Sequence, residues 1–278
     1  NAAGRLESAL QAYDLLVAPD IESAGLLAQK LDNQNRQRQT LTAELQALAE
    51  TLFSEAELNG HLLFAAHEQF NSGVVGLVAS RLAESYYRPA VVAQEGEEFT
   101  RASCRSIPEF HITGALDQCS DLMVRHGGHA MAAGFTVRNE NMAELKHRLQ
   151  QIAAEELGEM DLRPVLRVDM VVKLGDLKPN EIFPVLDRLQ PTGQDNPDAT
   201  FVARNVRVAQ ARAIGNEGAH LKLSVTDNGV YYDAIAFRQG FWAGQLPPNI
   251  DILFTYERNT YQGVERVQLN VRDIKPAG

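Results

Sequence analysis

Cysteine is scarce: Cys104 and Cys119 are the only two in 278 residues. Two cysteines cannot build a disulfide framework or a Cys-rich zinc site, and their spacing fits no metal motif. A reducing, cytoplasmic compartment is the expectation. No apolar run approaches the roughly 20 residues that span a bilayer, so neither a transmembrane helix nor a membrane partner is expected. The opening Asn1-Ala2-Ala3-Gly4-Arg5-Leu6 lacks the basic and apolar regions of a signal peptide. A first residue other than Met reads as a chain cut from something longer. Nucleophile-elbow, Walker and dinucleotide-binding motifs are all missing. No His/Asp/Glu cluster has metal-ligand spacing. His126 and His129 are three apart with no carboxylate or cysteine partner expected nearby, so no metal is expected on this chain. Basic residues are also in deficit, 26 against 36 acidic, for a net charge of −10. Taken whole, that argues against a nucleic-acid partner.

The deficit is uneven. Residues 1–163 hold 13 Lys+Arg and 23 Asp+Glu, whereas residues 164–278 hold 13 of each. A domain boundary near Arg163-Pro164 follows. From 20 to 57 there is no proline, and Ala, Leu, Gln and Glu dominate, which predicts one long helix of up to about 50 Å. Leu41, Leu45, Leu48 and Leu52 recur at helical spacing and should form its buried stripe. Residues 32–39 are polar all round, as in a helix that bridges solvent between domains. Between 60 and 157, strand signals (61–66, 90–94, 99–106, 130–137) alternate with helix signals (73–86, 114–125, and 141–157 with Asn141 as N-cap). This is an α/β domain with helices packed on a sheet. After Pro164 the pattern becomes β-rich: 166–172, 200–209, 220–226, 231–236, 252–256 and 265–271, with one helix at 179–189. Asp227-Asn228-Gly229 signals a hairpin. A small all-β barrel of the OB type is the best match. The expected domains are therefore a connecting segment and long helix (1–58), an α/β domain (59–160) and an OB-type β-barrel (164–278).

Three segments could carry chemistry. Arg125-His126-Gly127-Gly128-His129 lies between a predicted helix and a predicted strand. Its glycines free the backbone to point N–H groups at an anion, and His129 can donate to a phosphate or shuttle a proton. A plain glycine turn with a surface histidine reads equally well. Ser103-Cys104-Arg105-Ser106 places an arginine between hydroxyls, a phosphate clamp or else an exposed edge-strand arginine. The loop 71–73 opens an apolar helix and offers backbone donors, although Val75, Leu77 and Val78 read as core. In the barrel, Phe201, Tyr231, Tyr232, Phe237, Phe241, Trp242, Tyr256 and Tyr261 interleave with Arg204, Arg207, Arg212, Lys222, Arg238 and Arg258. That mixture suits single-stranded nucleic acid, with about half of the aromatics expected in the core.

Together these segments resemble the RecJ family of single-strand-specific exonucleases in the DHH phosphoesterase superfamily. Asn1 to Leu6 resembles the segment before the family's connecting helix. Residues 73–82 resemble its GVVGIVASRL helix, and Ser103 to Pro108 its S-x-R-S-I-P strand end. Gly127-Gly128-His129 through Ala132-Ala133-Gly134 matches the GGHxxAAG signature of a DHHA1 domain. Gly193-Gln194-Asp195-Asn196-Pro197, His220 to Leu223 and Asp233 to Phe237 resemble pieces of the family's OB domain. Asn71-Ser72 replaces the family's His-Pro, and Asp195 departs from its GxGNP. The metal-holding DHH domain has no counterpart here. The resemblance implies a 5′-to-3′ single-stranded DNA exonuclease of repair and recombination, with Mn²⁺ or Mg²⁺ held in that DHH domain and none by this chain. It implies that His129 lies near the scissile phosphate. Substrate-binding roles fall on Arg5, Ser103, Arg105, Ser106, Gly127, Gly128, Arg204, Lys222 and Arg238. Single-stranded DNA is the implied partner, a single-stranded-DNA-binding protein a further candidate, and a monomer is expected. The alternatives are a non-catalytic binding module or scaffold, and a DHHA1 phosphodiesterase acting on short oligonucleotides.

Overall fold

The computed structural model describes residues 2–193, 195–261 and 263–278. Asn1 and Gln194, each part of a segment singled out above, lie outside the described residues, as does the side chain of Tyr261. The chain divides into two compact units, Asn1–Pro164 and Val165–Gly278.

The first unit begins with α1 (Ala2–Leu6), α2 (Leu10–Leu16) and the 32-residue α3 (Ile21–Leu52). Asp20 caps α3 by accepting from the Ser23 amide at 2.7 Å. The helix does not run on to 57. Phe53 turns extended, and Ser54 and Glu57 form a capping box that starts α4 (Glu55–Asn59). The buried stripe is also rotated from the leucine repeat. Thr42, Leu45 and Ala49 face inward, Leu41 and Leu48 flank the seam, and Leu52 is exposed. Small residues on the seam let the helix approach its neighbours closely. Nor is 32–39 polar on every face in solvent. Gln34 is buried and its amide donates to Gln11 of α2 at 2.8 Å.

Next come β1 (Leu63–His67), α5 (Val75–Tyr86), β2 (Ala90–Glu95), β3 (Phe99–Arg105), α6 (Ile112–Asp117), β4 (Met123–His129), β5 (Ala132–Arg138) and α7 (Met142–Leu157). The helix expected over 114–125 ends at Asp117, and residues 123–129 are a strand. Pairing with β5 overrides the helical preference of 123–125 and draws the Gly-Gly segment after them into the same strand. Asn141 occupies the α7 N-cap position, but its side chain donates to the Leu122 carbonyl instead of the helix. The sheet order is β1-β2-β3-β5-β4, parallel at β1/β2 and antiparallel elsewhere. One face carries Phe64, Val91, Ala93, Ala102, Cys104, Ala133, Phe135 and Val137 into a core with α6 and α7. The other face is covered over β1 and β2, where Leu63, Ala65, Ala90 and Val92 meet α5 and α3.

The second unit is a closed barrel. β7 (Thr200–Ile214), β8 (His220–Asp227), β9 (Val230–Ala236), β10 (Asn249–Tyr261) and β11 (Val264–Pro276) pair as β10-β11-β9-β8-β7, and β10 also pairs with β7. Here β6 is Met170–Val172, a short strand added parallel to β7. Register shifts at Val208/Gln210 and Leu253/Phe254 mark the bulges that bend the long strands to closure. Asn228 and Gly229 both have positive φ, the geometry of a two-residue hairpin turn. The helix α8 (Pro179–Leu186) stacks Phe183 on Tyr256 of the barrel core, 4.8 Å between ring centroids.

One ion pair braces the joint after α3. Glu57 is buried, and its carboxylate meets Lys146 of α7 at 2.8 Å. Burial raises the Glu57 pKa, but donors from Lys146 and Ser54 outweigh it and hold the group below its ordinary value. A carboxylate whose folded pKa lies below its unfolded one adds stability above the unfolded pKa, and loses it as pH falls through the folded pKa. Stability should therefore drop below about pH 4.3, and Glu57→Gln should flatten that limb. Lys146→Met should cost about 1–3 kcal/mol in urea unfolding at neutral pH, because it strands a buried carboxylate. An unchanged unfolding curve would show that the pair does not brace the joint.

Candidate nucleic-acid interface

Over β5 and β4 the second sheet face is open, and β3 lies at its margin against α5. Alternation along β3 turns Arg101, Ser103 and Arg105 onto it, opposite the buried Ala102 and Cys104. Registry places Arg105 across from Ala132, and Ala132 across from His129. Ser103, Gly134 and Gly127 form the next row, and Arg101, Thr136 and Arg125 the one after. The floor is thus built of Ala132, Gly134 and Gly127, bounded by four arginines (Arg101, Arg105, Arg125, Arg138) and His129. None of the residues that β3, β4 and β5 place on this face is a carboxylate. Glu98, beyond the end of β3, pairs with Arg138 at 2.5 Å, and Arg125 donates to Thr136 at 3.3 Å.

The start of α5 completes one edge. Arg5 donates to the Gly73 carbonyl at 3.5 Å. A Cβ on Gly73 would lie 2.1 Å from the Arg5 carbonyl oxygen, so only glycine admits this approach. Gly76 likewise leaves room for the Arg105 guanidinium, which would stand 3.0 Å from a Cβ there. Arg105 is half-buried and also donates to the Cys104 carbonyl at 2.8 Å. Burial lowers the Arg105 pKa, and repulsion from Arg5 lowers it further, against an opposing pull from Cys104. Two guanidinium groups and the positive end of a 12-residue helix meet here, an arrangement that favours an anion. Cys104 is no nucleophile: burial pushes its thiol up to about 12.

Three expectations change. The Gly127-Gly128-His129 motif lies in a β4–β5 hairpin, not between a helix and a strand. His126 does have a carboxylate partner, Asp117, at 2.8 Å, because α6 ends beside β4. Ser106 turns inward, and its buried hydroxyl donates to the Phe110 carbonyl at 2.6 Å. Gly127 and Gly128 also differ. A Cβ on Gly127 would meet nothing within 4 Å, whereas one on Gly128 would lie 2.3 Å from the Ala132 oxygen.

The barrel offers a second surface. Pairing puts Arg207, Thr226 and Tyr231 in one row, and Gln210, Ser224 and Asp233 in the next. Arg212, Lys222 and Ile235 follow, and Ile214 and His220 lie near Phe237 at the end. These residues point away from the buried Leu221, Leu223, Val225, Ala234 and Ala236. A groove of about 470 Å³ runs between Arg212, Lys222 and Asp233. Arg238 follows Phe237, and its amide donates to His220 at 3.1 Å. Arg204 is elsewhere, in a groove with Leu166, Val168 and Asp251. Phe201 and Tyr256 are core, while Tyr231, Phe237 and Phe241 are exposed. The registry that joins Arg207 and Arg212 to Lys222 depends on a bulge that periodicity does not reveal. Arg101 and Arg125, by contrast, follow from period-2 alternation once the pairing of β4 is known.

This combination, a basic sheet face on an α/β unit followed by an OB-type barrel, defines a DHHA1 domain joined to an OB domain. The DHHA1 family model matches residues 59–155 and the RecJ OB domain model residues 168–273. The chain is 32% identical over 277 residues to the single-stranded-DNA-specific exonuclease RecJ of Bacillus subtilis, covering 98% of this chain and 35% of that protein. It is also 32% identical to the RecJ of Dickeya dadantii, covering 99% of this chain and 50% of the relative. The crystal structure of Thermus thermophilus RecJ with Mn²⁺ superposes with a TM-score of 0.79 at 28% identity, covering 100% of this chain and 40% of that one. The chain belongs to the RecJ family. It spans between about a third and a half of the length of these curated relatives. Thermus thermophilus RecJ has been solved with Mg²⁺ as well as Mn²⁺. Among the described residues here, no three His, Cys, Asp or Glu side chains gather as ligands, so these residues do not fit such an ion. No described helix is long and apolar enough to cross a membrane.

The glycine pair gives a direct check on the hairpin. Gly128→Ala should destabilise the protein by about 2 kcal/mol or more through the clash with the Ala132 backbone. Gly127→Ala should leave the melting temperature nearly unchanged. Equal melting temperatures for the two variants would contradict this hairpin geometry.

Proposed function

We propose that this chain is the part of a longer 5′-to-3′ single-stranded DNA exonuclease that guides DNA and closes the cleft, acting in repair and recombination in the cytoplasm. The observation that carries the reading is the open sheet face, where Arg5 and Arg105 meet the start of α5 with no carboxylate on the facing strands. Phosphates of a bound strand would neutralise these cations. Ser103 and the exposed Gly127 backbone would add hydrogen-bond donors. His129, in the same row as Arg105, would sit at the scissile phosphate, where it can donate to a phosphate oxygen or carry a proton. The barrel would supply a second surface for the strand. Lys222 with Arg207 and Arg212 would pair with phosphates, Tyr231 and Phe237 would stack on bases, and Arg238 would lie at the end of that track. We assign the divalent metal that activates water to a DHH domain outside this chain. A single-stranded-DNA-binding protein is the candidate partner, and a monomer the expected state. The barrel weighs against a phosphodiesterase limited to short oligonucleotides.

The purified chain should bind single-stranded DNA in preference to duplex, with a negative log–log salt slope, and should cleave nothing with Mn²⁺ or Mg²⁺. Metal-dependent cleavage by this chain alone would overturn the division of labour. Arg212→Ala with Lys222→Ala should weaken binding and flatten the salt slope by about 0.7 for each phosphate no longer neutralised. An unchanged slope would move the DNA track off this face.

A further inference from the structure

The hairpin tip that carries His129 is held from outside its own strands. Three consecutive carbonyls, of His129, Ala130 and Met131, each accept a bond from the segment 106–113. The Thr113 hydroxyl donates to the His129 oxygen at 2.7 Å. The Ile112 amide donates to the Ala130 oxygen at 3.1 Å, and the Ser106 amide to the Met131 oxygen at 3.0 Å. The segment is itself braced: Ser106 donates to Phe110, and the Gly114 amide donates to the His111 ring at 2.9 Å. Ile112 is fully buried in the core, which anchors the clamp to the domain. In the sheet β4 is an edge strand paired with β5 alone, and the His126–Asp117 bond holds it lower down, away from the tip. Edge strands fray, and the free end of a hairpin frays first.

We infer that Thr113 is a positioning residue that fixes His129 in the Arg105 row. It is the one side chain among the three donors, and it acts on the carbonyl of His129 itself. Its effect on turnover rests on the reading that His129 lies at the scissile phosphate. A reacting group displaced by about an ångström loses on the order of a hundredfold in rate even when substrate binding is intact. The clamp would therefore show in kcat rather than in KM.

The test uses the longer exonuclease and, separately, this chain. Thr113→Val keeps the shape and deletes the donor. In the exonuclease it should lower kcat about 10- to 100-fold with KM for single-stranded DNA nearly constant, and Thr113→Ser should restore kcat. In a His129→Ala background Thr113→Val should add no further loss. In this chain, Thr113→Val should speed amide hydrogen exchange of residues 129–132 about tenfold or more, with a melting temperature lowered by about 4 °C or less. Unchanged kcat and exchange in Thr113→Val, or a loss that multiplies that of His129→Ala, overturns the positioning role. If His129→Ala itself kept full turnover, the placement of His129 would fall, while faster exchange would still establish the clamp.

Discussion

Successive side chains of a β-strand point to opposite faces, and in β3 this alternation separates core from site. Ala102 and Cys104 enter the core against α6 and α7, so Arg101, Ser103 and Arg105 must face outward. Antiparallel registry carries the same division into β5 and β4. There Phe135 and Val137 point inward while Ala132, Gly134, Gly127 and His129 continue the outer surface. A register slip of one residue would bury the arginines and expose Cys104 and Phe135. Packing of the core and placement of the cations are thus one constraint, and the small floor follows from it. With Ala and Gly between the arginines, a flat ligand can come close to the strands.

The net charge of −10 coexists with this basic face because the acidic residues lie elsewhere. Many are on helix surfaces, where they pair locally: Asp32 with Arg36, Glu144 and Asp121 with Arg148. Asp117 pairs with His126 at the margin of β4, away from the arginine row. Total charge describes long-range attraction, whereas binding follows the local arrangement. Arg105 shows this most directly. Held half-buried beside a second guanidinium, it keeps its position because Gly76 yields the space and the Cys104 carbonyl accepts one of its hydrogens.

Most of the architecture was legible in the sequence, because period-2 runs and turn residues mark strands whatever their partners. Asn228-Gly229 marks its hairpin unaided, since both residues take the positive φ such a turn requires. What was hidden depended on partners distant in sequence. Residues 123–125 read locally as the end of a helix and 126–129 as a glycine turn, and only pairing with β5 makes 123–129 a strand. That one difference moved His126 beside Asp117 and put Gly127 and Gly128 in an edge strand. The buried stripe of α3 is hidden for a related reason. Leucine repeats mark an apolar face, but close helix approach selects small residues, and Thr42 and Ala49 took the seam. At the site, Arg105 and His129 were visible as motif residues, but their shared row was not, because it needs two strand registers at once. The orientation of Ser106 is hidden because a hydroxyl beside an arginine looks the same whether it faces solvent or the Phe110 carbonyl.

The chemical inventory of the open face limits what it can do unaided. The guanidinium groups of Arg101, Arg105, Arg125 and Arg138 offer only donors and no acceptor, and so can only bind or stabilise charge. The thiol of Cys104 points into the core, with its ionisation pushed up to about 12. That leaves His129 as the one imidazole that β3, β4 and β5 place on this face. A single imidazole beside fixed cations suits orienting a phosphodiester, stabilising its developing charge and handing over one proton, but it supplies no second group to activate water. On the reading proposed above, the face would be half of a cleft. Its rigidity matters more than its reactivity, and this explains why a hairpin tip carrying one histidine is held by three separate donors from another segment.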